Sequence, residues 1–424
     1  MDKIIISGGR RLSGKVEILG AKNAALPLMV SSMLTSEPVV LNNIPHLTDI
    51  ETMAALLASH GIKVSWPNQR QIELTAYDII NTTADYELVS KMRASVLVLG
   101  PLLARIGHAR VSLPGGCAIG TRPVDIHLSG LSQLGAEITL VDGYIEARVD
   151  GGLKGTTVPL QFPSVGATEN LMMAATLAKG KTILQNAARE PEVVDLARCL
   201  VKMGAEIYGI GSDELVIIGK KEMHGVVHAV VADRIEAGTY AMAAAITAGD
   251  VELIGATPEH FEVPLKTLSQ FGSIIRKTDK GIRVSVSERL KAADITTNIY
   301  PGFPTDLQAQ AMALMTVAEG AAVVTETIFE NRFMHVPELL RLGADITVRG
   351  GTALVRGVPR LRGAPLIATD LRASSSLVLA GLVAEGETTV SHLHHIDRGY
   401  ESIEKKLSDL GAKVTREVTR SSLK

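Results

Sequence analysis

Aromatic side chains are scarce in this 424-residue chain, with one Trp, seven Tyr and six Phe amounting to 3% of it. So few rings disfavour a surface that stacks nucleic-acid bases. Any core must then be aliphatic, and a hydrophobic content of 46% is ample to build one. Charge of either sign is not in excess: 43 Lys and Arg against 45 Asp and Glu leave a formal net charge of −2. That balance argues against nucleic acid or an anionic membrane as the main partner. The only cysteines, Cys117 and Cys199, make neither a disulfide framework nor a cysteine-based metal site. No run of 18 apolar residues exists to span a membrane, and Met1-Asp-Lys-Ile-Ile-Ile lacks the apolar region of a secretory signal. The expectation is a soluble protein of a reducing compartment, most simply the cytoplasm. No Gly-x-Gly-x-x-Gly follows a strand and no Gly-x-x-x-x-Gly-Lys-Ser/Thr is present, so neither common nucleotide-binding fingerprint applies.

What is present is repetition. A Leu-x-x-Leu-Gly-Ala phrase, with local variation, recurs at Gly61, Gly135, Gly204, Gly272, Gly343 and Gly411, at a spacing of roughly 70 residues. Each copy reads alike. An Ala-rich stretch long enough for a buried helix comes first, as at 170–178 and 308–318. A short β-type run follows, then an amphipathic helix ending at the repeated glycine, which suits a left-handed position past the helix end. Two alternating strands close the copy, joined in one case by Asp142-Gly143, a hairpin signal. The predicted class is α/β, built from six units of helix–strand–helix–hairpin. Domain size favours two triplets, with a boundary near 229–233.

The repeats expose unusual charges. Lys22, Arg93 and Arg372 stand at the heads of Ala-rich helices, while Arg122, Arg332 and Arg398 stand at or before second helices. A helix N-terminus carries partial positive charge, so a cation there is unfavourable unless an anion satisfies both. The alternative for each is a neighbouring carboxylate, as Asp125 offers Arg122 and Asp397 offers Arg398. Asp306 and Asp370 occupy matching places and can be helix caps; beside arginines they would stay ionised and able to orient or deprotonate a hydroxyl. Ser164-Val165-Gly166 opens another helix and can receive a phosphate on backbone N–H groups. His392, His394 and His395 form the only histidine cluster, without carboxylates at ligand spacing, and read as a loop rather than a metal site.

Cys117 lies in Leu113-Pro-Gly-Gly-Cys117-Ala-Ile-Gly120-Thr-Arg122-Pro123-Val124-Asp125-Ile126. Three glycines and a proline predict a mobile loop, and Arg122 can favour the thiolate. A structural turn with an incidental cysteine is the plainer alternative. Cys199 falls in an apolar helical pattern and reads as buried.

Segments 20–27, 91–95, 113–125, 164–168, 188–191, 303–310, 326–337, 369–374 and 395–400 together resemble the UDP-N-acetylglucosamine 1-carboxyvinyltransferase family of enolpyruvyl transferases. The resemblance implies two inside-out α/β barrels of three repeats each, one over 22–230 and the other over 1–21 plus 231–424, with the active site in the cleft between them. It implies transfer of the enolpyruvyl group of phosphoenolpyruvate to the 3-hydroxyl of UDP-N-acetylglucosamine, with release of phosphate and with no metal or organic cofactor. Cys117 would be the proton donor, alkylated by the epoxide fosfomycin, and Asp306 the base. Lys22, Arg122 and Arg398 would neutralise phosphate and carboxylate, with Arg93 and Arg372 nearby. Asn23, Arg122, Pro123, Val124, Asp125, Ile126, Ser164, Val165, Gly166, Asp306 and Ile328 would line the nucleotide-sugar site. Arg332 would help hold the closed state, and Asp370 would sit among the substrate-binding groups. Phe162 departs from the pattern, standing where relatives can carry a basic residue beside the nucleotide. The shikimate-pathway transferase shares the repeat but not such a cysteine loop, and a non-catalytic nucleotide-sugar sensor on the same scaffold would not need Cys117, Asp306 and Arg398. Oligomeric state stays open, a monomer being compatible.

Overall fold

A computed structural model of the chain describes residues 2–113 and 124–418. Cys117, Arg122 and Pro123 therefore lie outside the described residues. Two compact units result, one of residues 20–113 and 124–231, the other of residues 2–19 and 232–418.

Each unit is built from helices inside and sheets outside. In the first, Lys22–Ser31, Leu99–Ile106 and Val165–Ala175 form its buried helical centre. Alanine, glycine and serine let these helices approach closely: a Cβ on Gly100 would lie 2.3 Å from Asn170 Oδ1. In the second, Arg234–Ile246, Gln308–Met315 and Leu371–Gly381 play the same part, and a Cβ on Gly238 would lie 2.5 Å from Leu307 Cδ1. The second helix of each repeat is amphipathic. Pro191–Lys202, for example, buries Val193, Leu196, Ala197 and Leu200 on one face. All six repeated glycines take the left-handed conformation that stops these helices, with φ of 98°, 99°, 100°, 100°, 89° and 97° in chain order.

Around the helices lie six separate four-stranded sheets, which do not join into one closed barrel among the described residues. Every sheet has the same plan. Thr157–Pro159 pairs in parallel with Lys181–Gln185, which pairs antiparallel with Glu214–Ile218, which pairs antiparallel with Glu206–Tyr208. Alternation puts one face inward, as in Ala321–Thr325, where Ala322 and Val324 are buried and Ala321 and Val323 exposed. Asp142 and Gly143, at φ 51° and 79°, join Glu137–Val141 to Tyr144–Arg148 as the predicted two-residue turn. The short parallel edge strand of each sheet is absent from the sequence reading. Thr83–Ala84 and Ile295–Thr296 have two residues each, too few to show a period.

Two sheets are completed from the chain's beginning. Ser13–Glu17 is the parallel edge beside Asp250–Ile254, and Lys3–Ser7 runs between Glu387–Ser391 and Lys413–Glu417. The first unit closes on itself instead, with Val226–Ala229 beside Val39–Asn42.

Candidate active site

In the second unit the turn Thr305–Leu307 leads into Gln308–Met315 and presents Asp306. Its Oδ1 accepts from Arg332 Nη2 at 2.9 Å and its Oδ2 from Arg372 Nε at 3.2 Å. The two guanidinium side chains are 5% and 4% exposed while the carboxylate is 27% exposed, so only the acid has a face toward solvent. One carboxylate thus bridges two guanidiniums, and charge-assisted bonds of this kind count for about 1.5–3 kcal/mol each. Burial opposes the charge on Arg372, but Tyr400, Asp306 and Asp233 outweigh it and raise its pKa. Its Nη1 makes no hydrogen bond among the described residues.

Asp370 differs from Asp306 despite their matching sequence places. It caps the helix Leu371–Gly381, accepting from the N–H groups of Arg372 and Ala373 at 2.9 and 3.0 Å. Among the described residues Asp306 caps neither Thr305–Leu307 nor Gln308–Met315. Ile328 is placed by Glu326, a carboxylate absent from the sequence reading. Its Oε1 accepts from Ile328 N–H at 2.8 Å, Phe329 N–H at 3.2 Å and Thr297 Oγ1 at 2.9 Å, and its Oε2 from Thr305 Oγ1 at 2.9 Å. The segment holding Ile328 is thereby tied to the turn holding Asp306. Arg398, partly buried, ends the turn Leu393–Arg398, which also carries His394 and His395. Fully buried His335 has its pKa lowered to about 4 by burial, which Asp370 opposes and Arg332 reinforces, so it is a neutral neighbour of the cluster.

In the first unit, Lys22 begins Lys22–Ser31 and is buried, its Nζ 2.9 Å from Asp49 Oδ2. That carboxylate partner is a second group the sequence reading missed. Asn23 beside it is exposed, and Arg93 opens the turn Arg93–Val98. Val124 precedes the helix Asp125–Gln133. Asp125, Ile126, Ser129, Gln133, Leu160 and Gln161 are among the residues lining a pocket of ≈ 350 Å³. Phe162, next in the chain, is 46% exposed. Ser164 Oγ caps Val165–Ala175 by accepting from Ala167 N–H at 3.3 Å. That leaves Val165 and Gly166 in the first turn, where N–H groups have no partner within the helix.

His127 packs against Gly166, whose added Cβ would lie 3.3 Å from the imidazole Cε1. Asn170 fixes its protonation: the amide oxygen accepts from Gly100 N–H at 2.8 Å, so the nitrogen donates to Val96 O at 3.1 Å and to His127 Nδ1 at 3.0 Å. The proton of the imidazole is therefore on Nε2. No sequence signal marked His127, since its partner lies 43 residues away.

The two units thus gather the predicted residues into two sets, Asp306, Arg332, Arg372, Asp370, Ile328 and Arg398 in one, and Lys22, Asn23, Arg93, Val124, Asp125, Ile126, Ser164, Val165 and Gly166 in the other. Among the described residues no group of three or more His, Cys, Asp or Glu is placed to hold a metal ion. Nor is any helix there long and apolar enough to cross a membrane.

Six helix-and-sheet repeats in two units of three define the fold class. The model of the EPSP synthase (3-phosphoshikimate 1-carboxyvinyltransferase) family matches residues 6–407. The enolpyruvyl transferase NikO from Streptomyces tendae shares the fold at a TM-score of 0.87 and 24% identity, covering 98% of both chains. EPSP synthase from Acinetobacter baumannii does so at 0.77 and 18% identity, covering 98% of this chain and 100% of that one. Closer in sequence are proteins named UDP-N-acetylglucosamine 1-carboxyvinyltransferase. That of Granulibacter bethesdensis is 60% identical over 98% of this chain and 99% of its own. That of Paramagnetospirillum magneticum is 58% identical over 98% of each. The chain is an enzyme of the EPSP synthase family and belongs, within it, to the UDP-N-acetylglucosamine 1-carboxyvinyltransferases.

Proposed function

We propose that the enzyme transfers the enolpyruvyl group of phosphoenolpyruvate to the 3-hydroxyl of UDP-N-acetylglucosamine, releasing phosphate, in peptidoglycan precursor synthesis in the cytoplasm. The 60% identity to the Granulibacter bethesdensis relative, end to end in both chains, carries the reading. The hydroxyl oxygen adds to C2 of phosphoenolpyruvate while C3 takes a proton from Cys117. The tetrahedral adduct then returns a C3 proton to the Cys117 thiolate and expels phosphate, restoring the double bond, while the proton taken by Asp306 leaves with the phosphate or to solvent. Asp306, held by Arg332 and Arg372, is the base on the hydroxyl. Arg372 and Arg398, with Lys22, Arg93 and Arg122, balance the phosphate and carboxylate of a polyanionic pair of substrates.

Asp125, Ile126 and the pocket beside them take the nucleotide, and the Ser164–Gly166 helix start takes its phosphates. The reading assigns residues of both expected domains, 22–230 and 1–21 plus 231–424, to one reaction. It requires no cofactor, and fosfomycin is its expected inactivator through Cys117. The test is phosphate release with phosphoenolpyruvate and either UDP-N-acetylglucosamine or shikimate 3-phosphate. Release with the nucleotide sugar alone is expected, and release only with shikimate 3-phosphate would overturn the assignment.

A further inference from the structure

Among the buried polar groups of the second unit, Thr239, Gln310, Arg372 and Tyr400, each at most 3% exposed, meet beside its three central helices. Thr239 Oγ1 lies 2.9 Å from Ile235 O, to which it can donate, and 2.9 Å from the Tyr400 hydroxyl, a contact in which either oxygen can be the donor. Gln310 Nε2 reaches Asp306 O at 3.0 Å, Thr239 Oγ1 at 3.1 Å and the Tyr400 hydroxyl at 3.3 Å, two protons shared among three acceptors. On the other side Arg372 bonds Asp306 through Nε, and its guanidinium carbon stands 5.5 Å from the centre of the Tyr400 ring. Both the carboxylate and the main-chain carbonyl of Asp306 are thus linked to Tyr400, one through Arg372 and the other through Gln310.

Tyr400 also bears on Arg398, two residues earlier. Between them Gly399 lies so close to the central helix that a Cβ there would be 2.4 Å from Leu371 Cδ1. The backbone carrying Arg398 is therefore pressed onto the start of the helix that carries Arg372. Core filling alone would call for a phenylalanine, and a hydroxyl buried here is retained at a desolvation cost that its bonds must offset.

We propose that Tyr400 is a positioning residue, whose hydroxyl and ring together align Asp306 with Arg372 and seat Arg398 for the enolpyruvyl transfer. This rests on the reaction assigned above. Tyr400→Phe keeps the ring and removes the oxygen. We expect kcat/KM for phosphoenolpyruvate to fall at least tenfold while KM for UDP-N-acetylglucosamine stays within twofold, since the residues assigned to the nucleotide and its phosphates, Asp125, Ile126 and Ser164–Gly166, belong to the other unit. Thr239→Val, which removes the hydroxyl that partners both Tyr400 and Gln310, should reproduce part of that loss and cover the case of a poorly folding Tyr400→Phe. The double variant should be no worse than Tyr400→Phe, because both changes break one network. A Tyr400→Phe enzyme within twofold of wild type, an equal rise in both KM values, or strictly additive losses would overturn the proposal. Wild-type enzyme that releases no phosphate from the two substrates would instead overturn the reaction assignment on which it stands.

Discussion

Asp306 has both carboxylate oxygens engaged by guanidiniums, so its shape and its charge can be tested separately. Asp306→Asn preserves the shape, keeps a hydrogen bond to one arginine and removes the ability to accept a proton. The expected result is a folded protein with phosphate release slowed about 10²–10⁴-fold. Turnover near wild type would reduce Asp306 to an anchor for Arg332 and Arg372. The two thiols offer a second contrast. Burial, with Asp195 nearby, pushes the Cys199 thiol up to about 12, so its reactive thiolate is nearly absent at neutral pH. One equivalent of label from a thiol alkylator at pH 8, mapped to Cys117, is expected, and label on Cys199 would contradict its placement. At this scale the sequence exposed the unusual residues but not their partners. Asp306 and Arg372 stand out because repeats make their positions comparable. Asp49, 27 residues from Lys22, and Glu326, 29 from Thr297, follow no period, since side-chain pairing across a fold leaves no trace in spacing.

Among the elements, the repeated glycine shows how a local rule becomes an observed geometry. Gly343 has φ 89° and open space where a Cβ would go, so Gly343→Ala is charged only with left-handed backbone strain, roughly 1–2 kcal/mol. Gly357 is the opposite case. Its φ is not left-handed, but a Cβ would stand 1.6 Å from Ala318 O, a backbone atom that cannot turn aside. Gly357→Ala should therefore cost about 3 kcal/mol or more. Urea melts of the two variants check the order, and a milder loss at Gly357 than at Gly343 would refute it. The six helix ends were legible because glycine after an amphipathic helix has one physical meaning. The six parallel edge strands were not, because four of them have only two or three residues, too few to carry a pattern, and the place of all six is set by the sheet they join. The cap at Asp370 was legible and the helix start at Ser164 was legible as such, whereas Asp306 is engaged by two buried arginines instead of capping a helix.

For the whole molecule, the order of strands matters more than their number. Six sheets follow from six repeats, but nothing in the spacing says that the chain's first residues belong to the last sheet. Residues 20–231 carry every strand of their own three sheets, Val226–Ala229 closing the set beside Val39–Asn42. Residues 232–418 do not, because two of their sheets need Lys3–Ser7 and Ser13–Glu17. Ile4, Ile6, Leu12, Val16 and Ile18 are all at most 4% exposed. Burying such side chains contributes roughly 1.5–3 kcal/mol each, and five of them roughly 8–15 kcal/mol. That is as large as the entire stability of a typical domain, about 5–15 kcal/mol. Without Lys3–Ser7, moreover, Glu387–Ser391 and Lys413–Glu417 lose the strand that pairs with both. The fragment 20–231 should therefore melt cooperatively by itself, while 232–424 should show no cooperative transition until a peptide of residues 1–19 is supplied. Circular dichroism melts of the two fragments, with and without the peptide, decide it. A cooperative melt of 232–424 alone, unchanged by the peptide, would mean that the first 19 residues decorate this unit rather than complete it.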